Sequence, residues 1–275
     1  MGGLVWVASY PKSGNTWTRT YLHYLLRGEV DINRMNLLTT WDSRQIWYQP
    51  LLDRPLKECT KQEVAEVRLQ SQERIAEQTD DLVFVKTHNA MVADHGTPMF
   101  NPKVTAGAVY IVRNPLDVAV SYSHHLDVSL DETIELMNMK GMQVPNREEM
   151  AYEVHGAWWE NVSSWTHKPN PALFVMRYED MLENPRKTFG DLTRFLMINA
   201  TGEQIEDAIR ASSFEKLKSQ EKERGFVEKP REEMRFFREG RANQWQKVLS
   251  ASQVDAVISA NRVQMARFHY LPYGR

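Results

Sequence analysis

The chain has 275 residues, 42% hydrophobic and 25% charged, which is ordinary for a soluble globular protein with a sizeable buried core. Its 34 basic and 36 acidic residues give a formal net charge of −2, so overall charge does not support nucleic-acid or membrane partners. The single cysteine, Cys59, excludes an intrachain disulfide framework and favours a cytoplasmic location. We expect one domain over residues 1–275, without a secretory signal or a membrane span.

The first predicted elements are a strand at Leu4–Ala8 and an amphipathic helix at Thr16–Arg27. The turn between them belongs to the stretch Tyr-Pro-Lys-Ser-Gly-Asn-Thr-Trp, residues 10–17. Backbone N–H groups and a lysine at a helix N-terminus are typical of a site for phosphate or a similar oxyanion. The nucleotide-triphosphate loop ends in Gly-Lys-Ser/Thr and uses the hydroxyl to hold Mg²⁺. Here Lys12 precedes Gly14, so we predict a phosphate-binding loop that works without the usual metal.

Further short apolar runs predict buried strands, and the amphipathic patterns between them predict helices. The strands are Leu82–Val85, Ala108–Val112 and Ala172–Met176, and the helices are Lys61–Gln78, Pro115–His125, Glu149–Thr166, Pro185–Leu196 and Ser252–Phe268. This alternation predicts an α/β fold, P-loop-like, with three α/β/α layers and a central parallel sheet of about five strands. Asp127–Arg147 and Ser219–Gln244 are expected to be mobile loops that cover the substrate, although a charge run such as Glu221–Glu233 in the second is usually a solvated face.

Polar residues follow each predicted strand at the point where it ends. They are Lys12 and Ser13, then Lys86, Thr87 and His88, then Arg113 and Asn114, and finally Arg177, Tyr178 and Glu179. The carboxyl ends of parallel strands meet at one edge of a sheet, where ligands bind in folds of this kind. The sequence therefore predicts a single site at that edge.

Several of these residues have a functional and a structural interpretation. His88 suits a general base for a hydroxyl acceptor, although a lone histidine is usually structural. Arg113 could bind a phosphate together with Ser121, two helical turns later, or the pair could serve only the sheet edge and the helix interior. The sequence Arg238-Glu239-Gly240 suits a loop around a phosphate, or a plain turn.

Other catalytic classes lack their signatures in this sequence. It has no zinc-ligand spacing, no Gly-x-Ser-x-Gly elbow and no glycine-rich dinucleotide fingerprint after the first strand. We therefore expect no metal site.

Taken together, the motifs resemble the PAPS-dependent sulfotransferase family, the soluble cytosolic type with many bacterial small-molecule members. PAPS is 3′-phosphoadenosine 5′-phosphosulfate. The resemblance covers the chain from about Val5 to Trp245. Residues 10–17 resemble the family's 5′-phosphosulfate loop, residues 86–88 its Lys-Thr-His element, residues 113–121 its 3′-phosphate motif, and residues 238–240 its late Arg-Lys-Gly element.

The resemblance implies a role for each matching residue. The 5′-phosphosulfate would be held by Lys12, Ser13, Gly14, Asn15 and Thr16. The adenine would be stacked on Trp17 and surrounded by Tyr178, Ser212 and Phe214. The 3′-phosphate would be held by Arg113, Ser121, Arg238, Glu239 and Gly240. Catalysis would use Lys12, Lys86 and His88, with the lysines in place of Mg²⁺ and the histidine as the base.

The chain also departs from the family pattern. Asn15 replaces a common Thr, and Glu239 stands where the late element usually has Lys. His125 stands where several phenol-sulfating members have Phe, which indicates a more polar acceptor pocket. Trp41, Trp47 and Tyr48 could line that pocket or belong to the core. The dimerisation motif of animal members is not evident, so the oligomeric state stays open.

The function implied is sulfuryl transfer from PAPS to a hydroxyl of a small-molecule alcohol or phenol, giving a sulfate ester and adenosine 3′,5′-bisphosphate. Two alternatives stay open. One is a P-loop-type nucleotide kinase, which would need a Gly-Lys-Ser/Thr ending and a Mg²⁺-holding Asp. The other is a non-catalytic relative that only binds the bisphosphate.

Overall fold

A computed structural model describes residues 2–229, 231 and 235–274. The strands are β1 (Leu4–Ser9), β2 (Thr39–Trp41), β3 (Val83–Thr87), β4 (Ala93–Asp94), β5 (Thr97–Pro98), β6 (Thr105–Val112), β7 (Gln143–Val144), β8 (Glu153–Val154) and β9 (Leu173–Arg177). The helices are α1 (Asn15–Arg27), α2 (Gln45–Tyr48), α3 (Lys61–Ala76), α4 (Pro115–Leu126), α5 (Leu130–Asn138), α6 (Trp158–Thr166), α7 (Tyr178–Glu183), α8 (Pro185–Phe195), α9 (Gly202–Ala211), α10 (Phe214–Arg224) and α11 (Ala251–Arg267).

A parallel five-stranded sheet in the order β2-β3-β1-β6-β9 forms the centre of the molecule. Its central strand β1 is buried on both faces. Trp6 packs into the core on one face, while Val5 and Val7 pack into a second core on the other face. Helices therefore cover both faces of the sheet, and the predicted α/β architecture with about five parallel strands is confirmed.

The edge strand β2 did not stand out in the sequence because it has only three residues. It pairs with β3 in parallel, with Trp41 opposite Lys86. This register brings an aromatic ring to the same edge of the sheet as the polar strand ends.

Two predicted segments differ from the structure. Asp127–Arg147 contains the helix α5, whose N-terminus is fixed by a capping box between Ser129 and Glu132. The helix predicted at Glu149–Thr166 begins only at Trp158, because the residues before it run through β8 and turn at Gly156 with a positive φ of 66°. The predicted start of this helix at Glu149 was therefore wrong, and residues assigned to its first turns belong to an extended segment instead.

The segment Ser219–Gln244 is also more ordered at its start than a loop, since α10 extends to Arg224. Residues 225–229, 231 and 235–243 continue without regular secondary structure, and residues 230 and 232–234 lie outside the described part of the chain. None of the described helices combines the length and apolar character needed to cross a membrane.

Candidate active site

A cavity of about 720 Å³ opens at the carboxyl ends of β1, β3, β6 and β9. The structure thus brings the polar strand ends to one place. Most of the residues singled out in the sequence line this cavity: Lys12, Gly14, Asn15, Thr16, Trp17, Trp41, Lys86, His88, Arg113, Ser121, His125, Tyr178, Phe214, Arg238, Glu239 and Gly240.

Four of the predicted site residues lie behind the wall rather than on it. Ser13 is buried, and its hydroxyl has no hydrogen-bond partner within the described residues. Ser212 is buried and donates to the Ala208 carbonyl at 2.7 Å. Tyr48 belongs to the core cluster and the half-buried Trp47 packs against that cluster. Neither residue is among those that line this cavity.

The loop after β1 is shaped by residues in left-handed backbone conformations. Lys12 has φ 64° and Gly14 has φ 108°. A Cβ at Gly14 would lie 2.9 Å from a ring carbon of Tyr178, so only glycine fits between the loop and that ring. The Asn15 amide donates to the Val7 carbonyl at 2.8 Å, which ties the loop back to β1.

Lys12 is a half-buried cation with no carboxylate partner among the described ion pairs. Its Nζ lies 3.9 Å from the centre of the Phe236 ring and 3.5 Å from His125 Nδ1. Burial, followed by the charges of Arg113 and Lys86, lowers the pKa of Lys12 to about 7. An arriving anion would favour the charged form of this lysine.

Lys86 is held differently. Its Nζ lies 2.9 Å from Glu228 Oε2 and 3.5 Å from the centre of the Trp41 ring. Glu228 also pairs with the buried Arg19 at 2.9 Å. Burial alone would raise the pKa of Glu228, but Arg19 and Lys86 outweigh burial and hold it far below its usual range. Lys86 is therefore positioned by an ionised carboxylate and an aromatic face.

His88 has its tautomer set by the backbone. Its Nδ1 lies 2.8 Å from the carbonyl oxygen of Ser9, which only accepts, so Nδ1 carries the proton. Burial, then the charge of Lys86, lowers the pKa of His88 to about 3. The imidazole is therefore neutral near pH 7, and its Nε2 keeps a free lone pair.

Arg113 connects two parts of the cavity wall. It donates to the Lys12 carbonyl at 2.9 Å and stacks over the Tyr178 ring at 4.2 Å. Its Nε is buried without a partner among the described residues. Such an unsatisfied donor fits a site that takes an anion.

The late loop carries its own charge compensation. The Glu239 carboxylate lies 3.0 Å from Arg241, so the acid in place of the usual Lys is paired. Gly240 has φ 62°, and a Cβ there would lie 2.3 Å from the Phe214 ring. Close packing of loop and ring therefore requires a glycine at this position.

Sequence reasoning missed several wall residues, among them Glu153, His155 and Glu228. The first two were hidden by the helix predicted through residues 149–166, and the third by the charge run. Among residues 2–229, 231 and 235–274, no group of three or more His, Cys, Asp and Glu side chains could hold a metal ion.

Comparison with known proteins gives a consistent result. The sulfotransferase domain family matches residues 3–269. Sulfotransferase 1B1 of Canis lupus familiaris is 28% identical over 215 residues, covering 77% of this chain and 65% of that protein, so the match spans under two thirds of that relative. Flavonol 3-sulfotransferase of Flaveria bidentis is 28% identical over 274 residues, covering 92% and 78%. The structure of retinol dehydratase with retinol and PAP shares the fold at a TM-score of 0.67 and 20% identity, covering 95% and 81%.

Proposed function

The chain belongs to the sulfotransferase domain family, and from that premise we propose that it moves the sulfuryl group of PAPS to a small-molecule hydroxyl. The products are a sulfate ester and adenosine 3′,5′-bisphosphate (PAP). The observation that carries the proposal is one cavity wall holding two lysines, the half-buried Lys12 and the buried Lys86, beside a neutral histidine, His88.

The residues present fit the proposed donor. The Nε of Arg113 is a buried donor without a partner in the described chain, and Lys12 is a donor without a carboxylate among the described ion pairs; both residues line the cavity. Gly14 and Gly240 let the two loops lie directly against the rings of Tyr178 and Phe214, which also line the cavity. A nucleotide with phosphate and sulfate groups supplies the anionic acceptors that these donors lack.

His88 is the proposed general base. Its Nε2 takes the proton of the acceptor hydroxyl while the acceptor oxygen bonds to sulfur and the sulfur–oxygen bond to the 5′-phosphate breaks. Base catalysis of this kind contributes typically 10²–10⁴-fold in rate. The hydrogen bond from Nδ1 to the Ser9 carbonyl keeps the ring in the required tautomer.

Lys12 and Lys86 are proposed to stabilise the charge that develops on the leaving phosphate. Sulfuryl transfer resembles phosphoryl transfer, in which the attacking and leaving oxygens lie roughly in line. Preorganised cations in a buried site act on this charge strongly, because little water screens them. Lys86 is held ready by Glu228 and Trp41.

The proposal is tested by incubating the protein with PAPS and a panel of phenols and alcohols, without added Mg²⁺, and measuring release of PAP. We expect acceptor-dependent release and thermal stabilisation by PAP. The absence of both acceptor-dependent turnover and thermal stabilisation by PAP would contradict the proposal. Phosphoryl transfer from ATP that requires Mg²⁺ would favour a nucleotide kinase, and stabilisation without any turnover would favour a non-catalytic binder.

A further inference from the structure

A carboxylate–histidine pair forms part of the cavity wall beside the proposed base. Glu153 lies in β8 and His155 lies two residues later, and both side chains are buried. The Glu153 carboxylate accepts from Trp41 Nε1 at 3.1 Å and from the Ser43 hydroxyl at 2.9 Å. It also lies 3.0 Å from His155 Nε2. Because a carboxylate only accepts, His155 donates through Nε2.

Glu153 is ionised in this setting. Burial would raise its pKa, but the hydrogen bonds that it accepts from His155 and Ser43 favour the charged form, and its pKa is lowered to about 2. An anionic partner on Nε2 makes the other nitrogen of the ring, Nδ1, more basic and a better hydrogen-bond acceptor.

His155 Nδ1 is left without a hydrogen-bond partner inside the described part of the chain. The atom is buried, and the whole residue is only 3% exposed. A buried polar atom without a partner destabilises the folded chain. A ligand in the cavity that supplies a donor to this atom removes that destabilisation.

His155 is fixed relative to His88. The ring centroids lie 5.9 Å apart with the planes nearly perpendicular. Asn161, fully buried, donates to the backbone carbonyl of His88 at 2.9 Å and to that of His155 at 2.8 Å. The two imidazoles are therefore held in a fixed arrangement, and both residues line the cavity.

We infer that His155 Nδ1 accepts a hydrogen bond from a second hydroxyl of the acceptor, adjacent to the hydroxyl presented to His88, so that catechols are the preferred acceptor class. This inference rests on the proposed function. Each of the two hydrogen bonds would span about 2.8 Å, and the His88 and His155 ring centroids lie 5.9 Å apart. The Trp41 ring, 6.2 Å from His88 and edge-on to it, supplies an aromatic wall.

The test compares catechol with 2-methoxyphenol, which keeps one hydroxyl and blocks the other. At saturating PAPS we expect the wild-type kcat/KM for catechol to exceed that for 2-methoxyphenol about tenfold or more, since the methoxy group leaves Nδ1 unpaired. His155→Phe should bring the ratio near one, because it lowers the catechol value more than the 2-methoxyphenol value.

Two matched controls separate recognition from folding. His155→Asn places a side-chain oxygen near the position of Nδ1 and should recover part of the preference. In His155→Phe, affinity for PAP should stay within about threefold of wild type, because the proposed contacts to PAP do not include His155.

Several results overturn the inference. One is an equal wild-type kcat/KM for the two phenols. Another is that neither phenol is turned over although PAP still binds. The third is a catechol preference that survives His155→Phe. A preference for 2-hydroxybenzoate that His155→Phe abolishes would assign the site to an anionic acceptor instead. Absence of both PAP binding and turnover defeats the proposed function itself.

Discussion

The two ends of the cavity are built in different ways. The proposed donor end consists of loops that directly follow strands, and its cations Lys12 and Arg113 have polar atoms or charges still open to a ligand. The proposed acceptor end is assembled from β2, α4 and the stretch around β8, and its carboxylate, Glu153, already accepts three hydrogen bonds. Contiguous motifs thus encode the charge at one end, while distant segments encode the shape of the other.

The sharpest test of this division is the proposed base, which lies where the two ends meet. His88→Ala should reduce turnover about 10²–10⁴-fold and leave PAP affinity unchanged, since the ring is assigned to the hydroxyl proton. Initial rates and calorimetric titration with PAP measure the two effects. His167→Ala, at an exposed helix end, serves as the control. A His88→Ala enzyme with wild-type turnover would contradict the assignment of His88 as the base.

A change at the donor end should affect binding and chemistry together. Lys12→Ala is expected to lower kcat about 10²-fold, since one preorganised cation is lost, and to weaken PAP binding as well. The KM for the acceptor should change little. If only the acceptor KM moves, Lys12 belongs to the other end of the cavity.

The two ends should also differ in pH dependence. The pKa of Lys12 is lowered from its ordinary 10.5 to about 7, so the free site loses this charge as pH rises through 7. PAP needs the charged form, and its affinity should fall up to about tenfold per pH unit above that point. Titrations from pH 6 to 9 measure this slope. Lys12→Arg should flatten it, because guanidinium stays charged; an equal slope in that variant rules out Lys12.

The smallest effect is expected behind the wall. Trp47 donates to Thr40 at 3.0 Å and packs on the core. Trp47→Phe should lower the melting temperature slightly, through the lost hydrogen bond of about 1 kcal/mol, and keep kcat/KM within about twofold. A larger change in the KM for the acceptor would indicate that Trp47 contacts the acceptor.

Local patterns explain what could be predicted from the sequence. The strand ahead of Lys12, the helix after Pro115 and the parallel sheet follow from apolar runs, turn residues and alternation. The polar strand ends converge because parallel strands end at one edge. For this reason the sequence alone predicts that Lys86 and Arg113 lie in the same site.

What could not be predicted depends on contacts distant in sequence. β2 is recognisable only through its pairing with β3. Glu153, the partner of His155, is held by hydrogen bonds from Trp41 and Ser43, which lie more than 100 residues earlier in the chain. Glu228 lies in a run of charges, and its link to Arg19 spans 209 positions. Amphipathic periodicity carries no information about such partners.

The hydrogen bond from His88 to the Ser9 carbonyl has a consequence for evolution and engineering. The partner is a main-chain atom of the central strand, so a side-chain substitution at position 9 does not delete it. Variation in the residues around β8 can therefore change which molecule enters while the Nδ1–H tautomer of His88 is kept. A library confined to that stretch, with residues 9 and 88 left alone, is the economical route to new acceptors.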